Sequence, residues 1–420
     1  MSIASATVLI ELLRRHRLLN AQQLASLPAV RSGHGQDPRT LAKTLVQHGW
    51  LTVYQMNQLF AGHANELVLG PYHILDRLGQ GGQSLVFKAR HSETSLAVAL
   101  KVIRSELLET ADARQQFLQE MEAMAELDHP NIVQFCDADQ AGDTFYCAME
   151  YIEGTDLGKY VRLTGMLPPV QAADYIRQTA LGLQHAHERN LIHRDIKPVN
   201  LFLTSEQGQA RPALESPRAA ARGLGALIKI LDWGLACLRP TRARGNAADQ
   251  SNSGGAIIGT ADYLSPEQAR NANIADIRSD IYSLGCTFYY LLTGQPPFPG
   301  GTLVEKLMHH STAEPKPVES LNPEVTPALT AVLKRMLAKK PEERYQTPAA
   351  VAMALASFCR RPHAKLETPR RETRPAVASE PTRIQDDTPM PASLRGERTP
   401  KTTPAPVRAP HPPRVDSRRP

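Results

Sequence analysis

The segment His193-Arg194-Asp195-Ile196-Lys197-Pro198-Val199-Asn200 places a carboxylate, an ammonium and an amide oxygen within eight residues. Asp195 can accept or orient the proton of an attacking hydroxyl. Lys197 can neutralise a transferring phosphoryl group, and Asn200 can ligate a hard cation through oxygen. Six fixed residue types at this spacing arise by chance in a chain of this length with odds on the order of one in a hundred thousand. Asp232-Trp233-Gly234 follows the apolar run Leu227–Leu231, so its carboxylate leaves a buried strand beside a turn and suits Mg2+; alone it would be an ordinary turn aspartate. Val98-Ala99-Leu100-Lys101 ends an apolar strand in a lysine that phosphate oxygens could use, with Glu120 on the next helix to orient it. A surface lysine and a solvated helix face are the plainer alternative. Gly79-Gln80-Gly81-Gly82-Gln83-Ser84-Leu85-Val86 lies between two strand-like runs, where glycines let backbone N–H groups approach a polyphosphate. A glycine-rich hairpin by itself is common. The four motifs in one order are not.

Holding these groups together requires strands first and helices after. Tyr72–Leu78, Ser84–Arg90 and Leu96–Ile103 are short β-branched or aromatic runs separated by GQGG and HSET turn material. Helical spacing occupies Ala111–Leu127, strands resume at Ile132–Cys136 and Thr144–Tyr151, and helices dominate from Leu157 to about Phe358. A β-rich stretch followed by a larger helical one predicts two lobes of an α+β fold. Residues 1–66 read as a small helical module. Ser5–Leu19 is apolar at helical spacing, Asp37-Pro38 starts a second helix that stops at Gly49, and Thr52-Val53-Tyr54-Gln55 is a capping box opening a third that ends near Gly62. Such a module either only packs or serves docking and regulation.

Composition narrows the class. Apolar residues make up 42% and charged residues 21% of 420, as in a globular protein with a real core. The net charge of +6 suggests nucleic acid until it is located: residues 361–420 carry 13 Lys/Arg against 7 Asp/Glu, and the rest of the chain carries 35 of each. That segment also holds 13 prolines and no aromatic residue, so a disordered basic tail is expected and no specific nucleic-acid partner. Cys136, Cys147, Cys237, Cys286 and Cys359 are odd in number and unpaired in spacing, which fits a reducing cytoplasm better than a disulfide framework. No run approaches eighteen consecutive apolar residues, so no membrane span is expected, and the charges of the first helix follow its apolar stretch, the reverse of a secretory signal.

With these motifs the chain resembles the eukaryotic-like (Hanks-type) serine/threonine protein kinases of bacteria, over roughly Gly70 to Phe358. Further segments carry the likeness. Asp128-His129-Pro130-Asn131-Ile132-Val133 is similar to the segment after the small lobe's helix, and Met149-Glu150-Tyr151-Ile152-Glu153-Gly154 to a gatekeeper and hinge. Gly259-Thr260 and Ser265-Pro266-Glu267 match the substrate-binding end of the activation segment, and Ser279–Gly285 the anchoring helix of the large lobe. Arg344 matches the arginine that pairs in this family with the glutamate matched by Glu267.

The resemblance implies a two-lobed kinase fold over residues 70–360, with a β-rich lobe at 70–153 and a mostly helical lobe at 154–360. It implies transfer of the γ-phosphoryl of Mg2+-bound ATP to serine and threonine hydroxyls of protein substrates, autophosphorylation and a role in signalling. Asp195 would be the base, Lys197 would meet the γ-phosphate, and Thr260 would hold that pair. Lys101 would bind the α- and β-phosphates and pair with Glu120, while Asn200 and Asp232 would hold Mg2+. Leu78, Gly79, Gln80, Gly81 and Gly82 would cover the nucleotide, Val86, Ala99 and Leu203 would sandwich adenine, and Met149, Glu150 and Ile152 would line its edge.

Departures are few. Ser84 replaces the third glycine of the loop, Trp233 replaces phenylalanine, Ser265 replaces alanine, and an insertion at about 204–226 lengthens a hairpin. The rivals are a scaffold of this fold that binds without turnover, supported only by Ser84 and Trp233, and a small-molecule kinase, disfavoured by the peptide-platform likeness of Gly259–Glu267. Arg194 beside the base suggests that phosphorylation at Thr241, Ser251 or Ser253 raises activity. Dimerisation or partner docking would fall to residues 1–66 or to the tail, with its four Thr-Pro pairs.

Overall fold

In the computed structural model, which describes residues 3–32, 37–81, 84–205, 226–233, 261–271 and 274–359, the chain opens with α1, Ala6–Arg15, capped by the Ser5 side chain at the N–H of Val8. Arg17 then turns through φ 50°, so the helix read over Ser5–Leu19 ends early. A second helix that the periodicity did not indicate, α2, follows at Ala21–Ser32. Its signal was present in Asn20 and Gln23, whose side chains each accept the other's backbone N–H at 2.8–2.9 Å. α3 spans Pro38–Gln47 behind the Asp37 cap, and α4 spans Val53–Ala61 behind the Thr52–Gln55 capping box. Leu9, Leu13, Leu41, Leu45, Leu59 and Leu67, all at most 1% exposed, centre a hydrophobic cluster that these elements share.

The strands form a six-stranded antiparallel sheet in the order β1-β2-β3-β4-β6-β5. They are β1 (Val68–Leu69), β2 (Tyr72–Gln80), β3 (Ser84–His91), β4 (Ala97–Ile103), β5 (Phe135–Ala141) and β6 (Thr144–Glu150). Between β4 and β5 lies α5, Ala111–Ala125, whose Phe117, Met121 and Met124 are buried. β5 begins three residues after the expected start of a strand at Ile132. The backbone there is taken by another element: Ile132 bridges Ile230 in parallel, Ile230 N donates to Asn131 O and Val133 N to Ile230 O.

The larger part is helical. α6 (Leu157–Thr164) and α7 (Pro169–His187) precede the helix Ile277–Thr293, which is buried on every side from Ser279 to Leu292, as a helix apolar all round must be. A small sheet, β7-β8-β9, sits between them, with β7 at Thr155–Asp156, β8 at Leu201–Ser205 and β9 at Ala226–Ile230. Gly154 enters this sheet where an added Cβ would overlap the Leu203 carbonyl, so the close approach needs glycine. The described residues fall in one compact unit, Met1–Pro362. The expected tail at 361–420, most of the 204–226 insertion, and Thr241, Ser251, Ser253, Gly259 and Thr260 lie outside the described residues.

Candidate active site

Sheet register aligns the strand-borne residues. Val86 pairs with both Gly79 and Lys101, and Ala99 pairs with Met149, so the glycine-rich hairpin, the lysine and the hinge sit on adjacent strands. Gly79 and Gln80 belong to β2, Gly81 N donates to Ser84 O at 2.9 Å, and Leu78 is exposed; Gly82 lies outside the described residues. Ser84 is buried at the start of β3 and is not among the residues with positive φ, so its Cβ brings no strain. Met149 and Leu203 share the main buried cluster, with Ile152 packed against it. The Glu150 carboxylate accepts Gln134 N at 2.8 Å and pairs with Lys229 on β9.

Lys101 is 5% exposed, and its ammonium lies 2.7 Å from Asp232 Oδ1. That ammonium, foremost, holds the Asp232 carboxyl below its ordinary value despite burial. Glu120 stands half-buried on α5, the helix from which it is expected to meet Lys101. A buried ammonium gains much from one short, hydrogen-bonded carboxylate.

The segment 193–200 is folded around its own polar groups. Lys197 Nζ lies 2.9 Å from Asp195 Oδ2, while Asn200 Nδ2 donates to Asp195 O at 2.8 Å and lies 3.5 Å from Oδ2. These contacts occupy the amide nitrogen of Asn200. The backbone is set from below by Asp280, fully buried on the helix Ile277–Thr293, which accepts His193 N at 2.8 Å and Arg194 N at 2.7 Å. Burial pushes its carboxyl up to about 7 despite those two donors. His193 is also buried, and its Nε2 meets Leu231 O at 2.8 Å. Burial lowers its pKa, which keeps a neutral ring beside the acids. Trp233, 3% exposed, stacks edge-on against His193 with centroids 4.8 Å apart.

Arg194 and Asp232 both adopt left-handed backbone, at φ 62° and 61°. Such strain in non-glycine residues persists only where the surroundings fix it. Here Asp280 and Gln268, whose Nε2 reaches Arg194 O at 3.0 Å, hold one, and Lys101 holds the other. Arg194 Nε is buried with no hydrogen-bond partner among the described residues.

Sequence reasoning named the segment holding Asp280 without its duty, whereas the pairing of Glu267 with Arg344 was expected and is present. Glu267 receives a bidentate pair from Arg344 at 2.6 and 2.9 Å and the Ser279 hydroxyl at 2.6 Å. It missed Lys306, buried on the helix Leu303–Thr312, which pairs with Asp262 just before the Ser265-Pro266-Glu267 segment. It also missed Asn131 and Gln178, which hold β9 by its Ile228 backbone. Among the described residues no group of three or more His, Cys, Asp or Glu forms a preformed metal cage, and no helix is long and apolar enough to cross a membrane.

Comparison with known proteins places this geometry. Residues 72–355 match the family described as protein kinase domain. The serine/threonine-protein kinase PknB of Mycolicibacterium smegmatis is 37% identical over 289 residues, covering 66% of this chain and 42% of that protein. The serine/threonine-protein kinase PrkC of Bacillus subtilis is 33% identical over 280 residues, covering 67% of this chain and 39% of that one. The chain therefore spans about two fifths of the length of these relatives. The crystal structure of the Mycobacterium tuberculosis PknI kinase domain superposes with a TM-score of 0.51 at 24% identity, over 69% of this chain and 97% of that domain, a likeness of fold.

Proposed function

Because the chain belongs to the protein kinase family, of the Hanks type found in bacteria, we propose that it transfers the γ-phosphoryl group of Mg·ATP to serine and threonine hydroxyls of proteins, its own among them, in a cytoplasmic signalling role. The observation that carries this reading is the convergence of Asp195, Lys197 and Asn200 in one hydrogen-bonded set, with Lys101 and Asp232 joined as an ion pair.

The reaction breaks the bond between the γ-phosphorus and the β–γ bridging oxygen and forms one to the substrate hydroxyl oxygen. The hydroxyl proton passes to the Asp195 carboxylate, and ADP leaves. Lys197, already beside Asp195, would face the incoming γ-phosphoryl oxygens as negative charge shifts among them. Arrival of the nucleotide would give Lys101 a phosphate partner and release the Asp232 carboxylate. An oxygen donor set of one carboxylate and one amide, short of a full cage, suits Mg2+, which prefers one or two protein ligands and completes its shell with phosphates and water. Asn200 and Asp232 would hold it, and when bound it supplies charge neutralisation on the phosphates. Adenine would lie between Val86 and Ala99 on one side and Leu203 on the other, beside Met149, Glu150 and Ile152, under Leu78, Gly79, Gln80, Gly81 and Gly82. Thr260 would steady the Asp195–Lys197 pair.

The buried, unpartnered Nε of the half-exposed Arg194 favours a further step: phosphate on Thr241, Ser251 or Ser253 would supply that side chain with an anion and order the substrate platform. Phosphate mapping after incubation with Mg·ATP tests the whole reading. Phosphoserine and phosphothreonine are expected in the parent and absent from Asp195→Asn. An unmodified parent that also leaves a generic protein substrate untouched would overturn the reading in favour of a scaffold.

A further inference from the structure

Helix α4 is fastened to the glycine-rich hairpin through the same two side chains that cap it. The Gln55 side chain, 2% exposed, accepts Thr52 N at 3.0 Å through Oε1, while its Nε2 donates to Ile74 O at 2.8 Å. The Thr52 hydroxyl oxygen accepts Gln55 N at 3.1 Å, and its proton goes to Leu75 O. Both side chains thus spend one end on the helix and the other on β2.

The two carbonyls lie where the β2–β3 ladder slips, from Ile74↔Ala89 to Asp76↔Lys88. They also lie just past the cover of β1, which pairs with β2 only at His73 and Tyr72. From Ile74 onward the outer edge of β2 would present bare peptide groups, and α4 covers its start. The neighbouring Tyr54 reaches the other leg of the hairpin: its ring lies 6.4 Å from that of Phe87 on β3 and packs against both the module's cluster and the sheet's. Gly79 follows Leu75 by four residues, or about 13 Å of strand, and pairs with Val86, one residue before Phe87.

We propose that Thr52, Tyr54 and Gln55 are positioning residues for the nucleotide phosphates: α4 holds β2 at Ile74–Leu75 and β3 at Phe87, and so fixes the hairpin leading into Gly79-Gln80-Gly81. This rests on the kinase reading above, and it assigns residues 1–66 a task in that reaction. A hairpin held at both legs meets the phosphates already ordered, so the clamp acts on nucleotide affinity and leaves the Asp195 chemistry alone.

The test uses the full chain with Gln55→Met, which keeps the volume and removes both hydrogen bonds, and separately Tyr54→Leu. Asp37→Ala serves as control, because it removes the α3 cap without touching β2. KM for ATP is expected to rise about three- to tenfold in both clamp variants, with kcat within about twofold and KM unchanged in the control. Amide hydrogen exchange over 76–81 is expected to quicken in the clamp variants only. Parental KM and exchange in clamp variants whose far-ultraviolet circular dichroism is intact would overturn the proposal. So would an equal rise in the Asp37→Ala control, which would mark a general loss of module stability. Should the parent fail to turn over ATP, the exchange arm alone decides the clamp, and only the kinase reading falls.

Discussion

Asp280 organises the segment 193–200 from beneath, since one fully buried carboxyl group takes the N–H groups of both His193 and Arg194. An amide in its place can accept only one of them and turns a donor toward the other. Asp280→Asn is therefore expected to lose about 2–4 kcal/mol of stability and most phosphotransfer, read by denaturant titration and by initial rates. The pH dependence has a definite sign. The folded carboxyl keeps its proton up to about pH 7, whereas the ordinary value is 3.8, so between these limits the folded state binds more protons than the unfolded. Its contribution to stability is greatest below 3.8 and is lost as pH rises toward 7, levelling above. Unfolding free energies of the parent relative to Asp280→Asn, measured across pH 4 to 8, should show that decline. At this scale the sequence was highly legible for Asp195, Lys197, Asn200 and Asp232, whose spacing within motifs fixes their geometry. The Lys101–Asp232 pair was not legible, because it depends on where the segment after β9 settles against β4, which spacing along the chain does not encode.

Elements place these residues through a few polar cross-ties. Arg344, with no exposed surface, binds Glu267 in bidentate fashion and also donates to the carbonyls of Arg278, Ala338 and Lys339. Arg344→Met would leave the Glu267 carboxylate without its counter-charge in the interior. A loss of about 3–5 kcal/mol is expected, seen as a lower Tm. Arg344→Lys should not rescue it, since an ammonium cannot span both carboxylate oxygens and three carbonyls. Strands β2, β3, β4 and β6 and helices α3 and α4 were legible from alternation, caps and turn residues. Helix α2 was not, because its apolar residues lack a clear face and a proline sits at position 28. The strand expected at Ile132 was displaced by a tertiary competitor, the backbone of β9, and local propensity carries no trace of such a partner.

At the scale of the whole chain, charge and packing separate. The positive excess belongs to residues 361–420, with 13 basic against 7 acidic side chains, while residues 1–360 hold 35 of each. Removing residues 361–420 is therefore expected to abolish retention on a sulfonate cation exchanger at neutral pH and low salt, whereas the full chain should be held and released by modest salt. Two ion pairs join the sheet to the helical part, Lys101–Asp232 and Glu150–Lys229, one beside the phosphates' expected place and one at the hinge. The two-lobed outline was legible from the order of strands and helices, but the seating of α4 on β2 was not, because it depends on two backbone carbonyls that no side-chain pattern announces.

The Glu267–Arg344 pair joins positions 77 residues apart, which sets an order of assembly. A chain emerging from the ribosome makes the glutamate well before its arginine, at some 5–20 residues per second. For those several seconds the buried place of Glu267 cannot be filled without an uncompensated charge. The segment Ser265-Pro266-Glu267 is then expected to be among the last parts to close, after the six-stranded sheet has had time to form. On the reading proposed above, a nascent chain would complete its nucleotide site before the surface that presents a substrate.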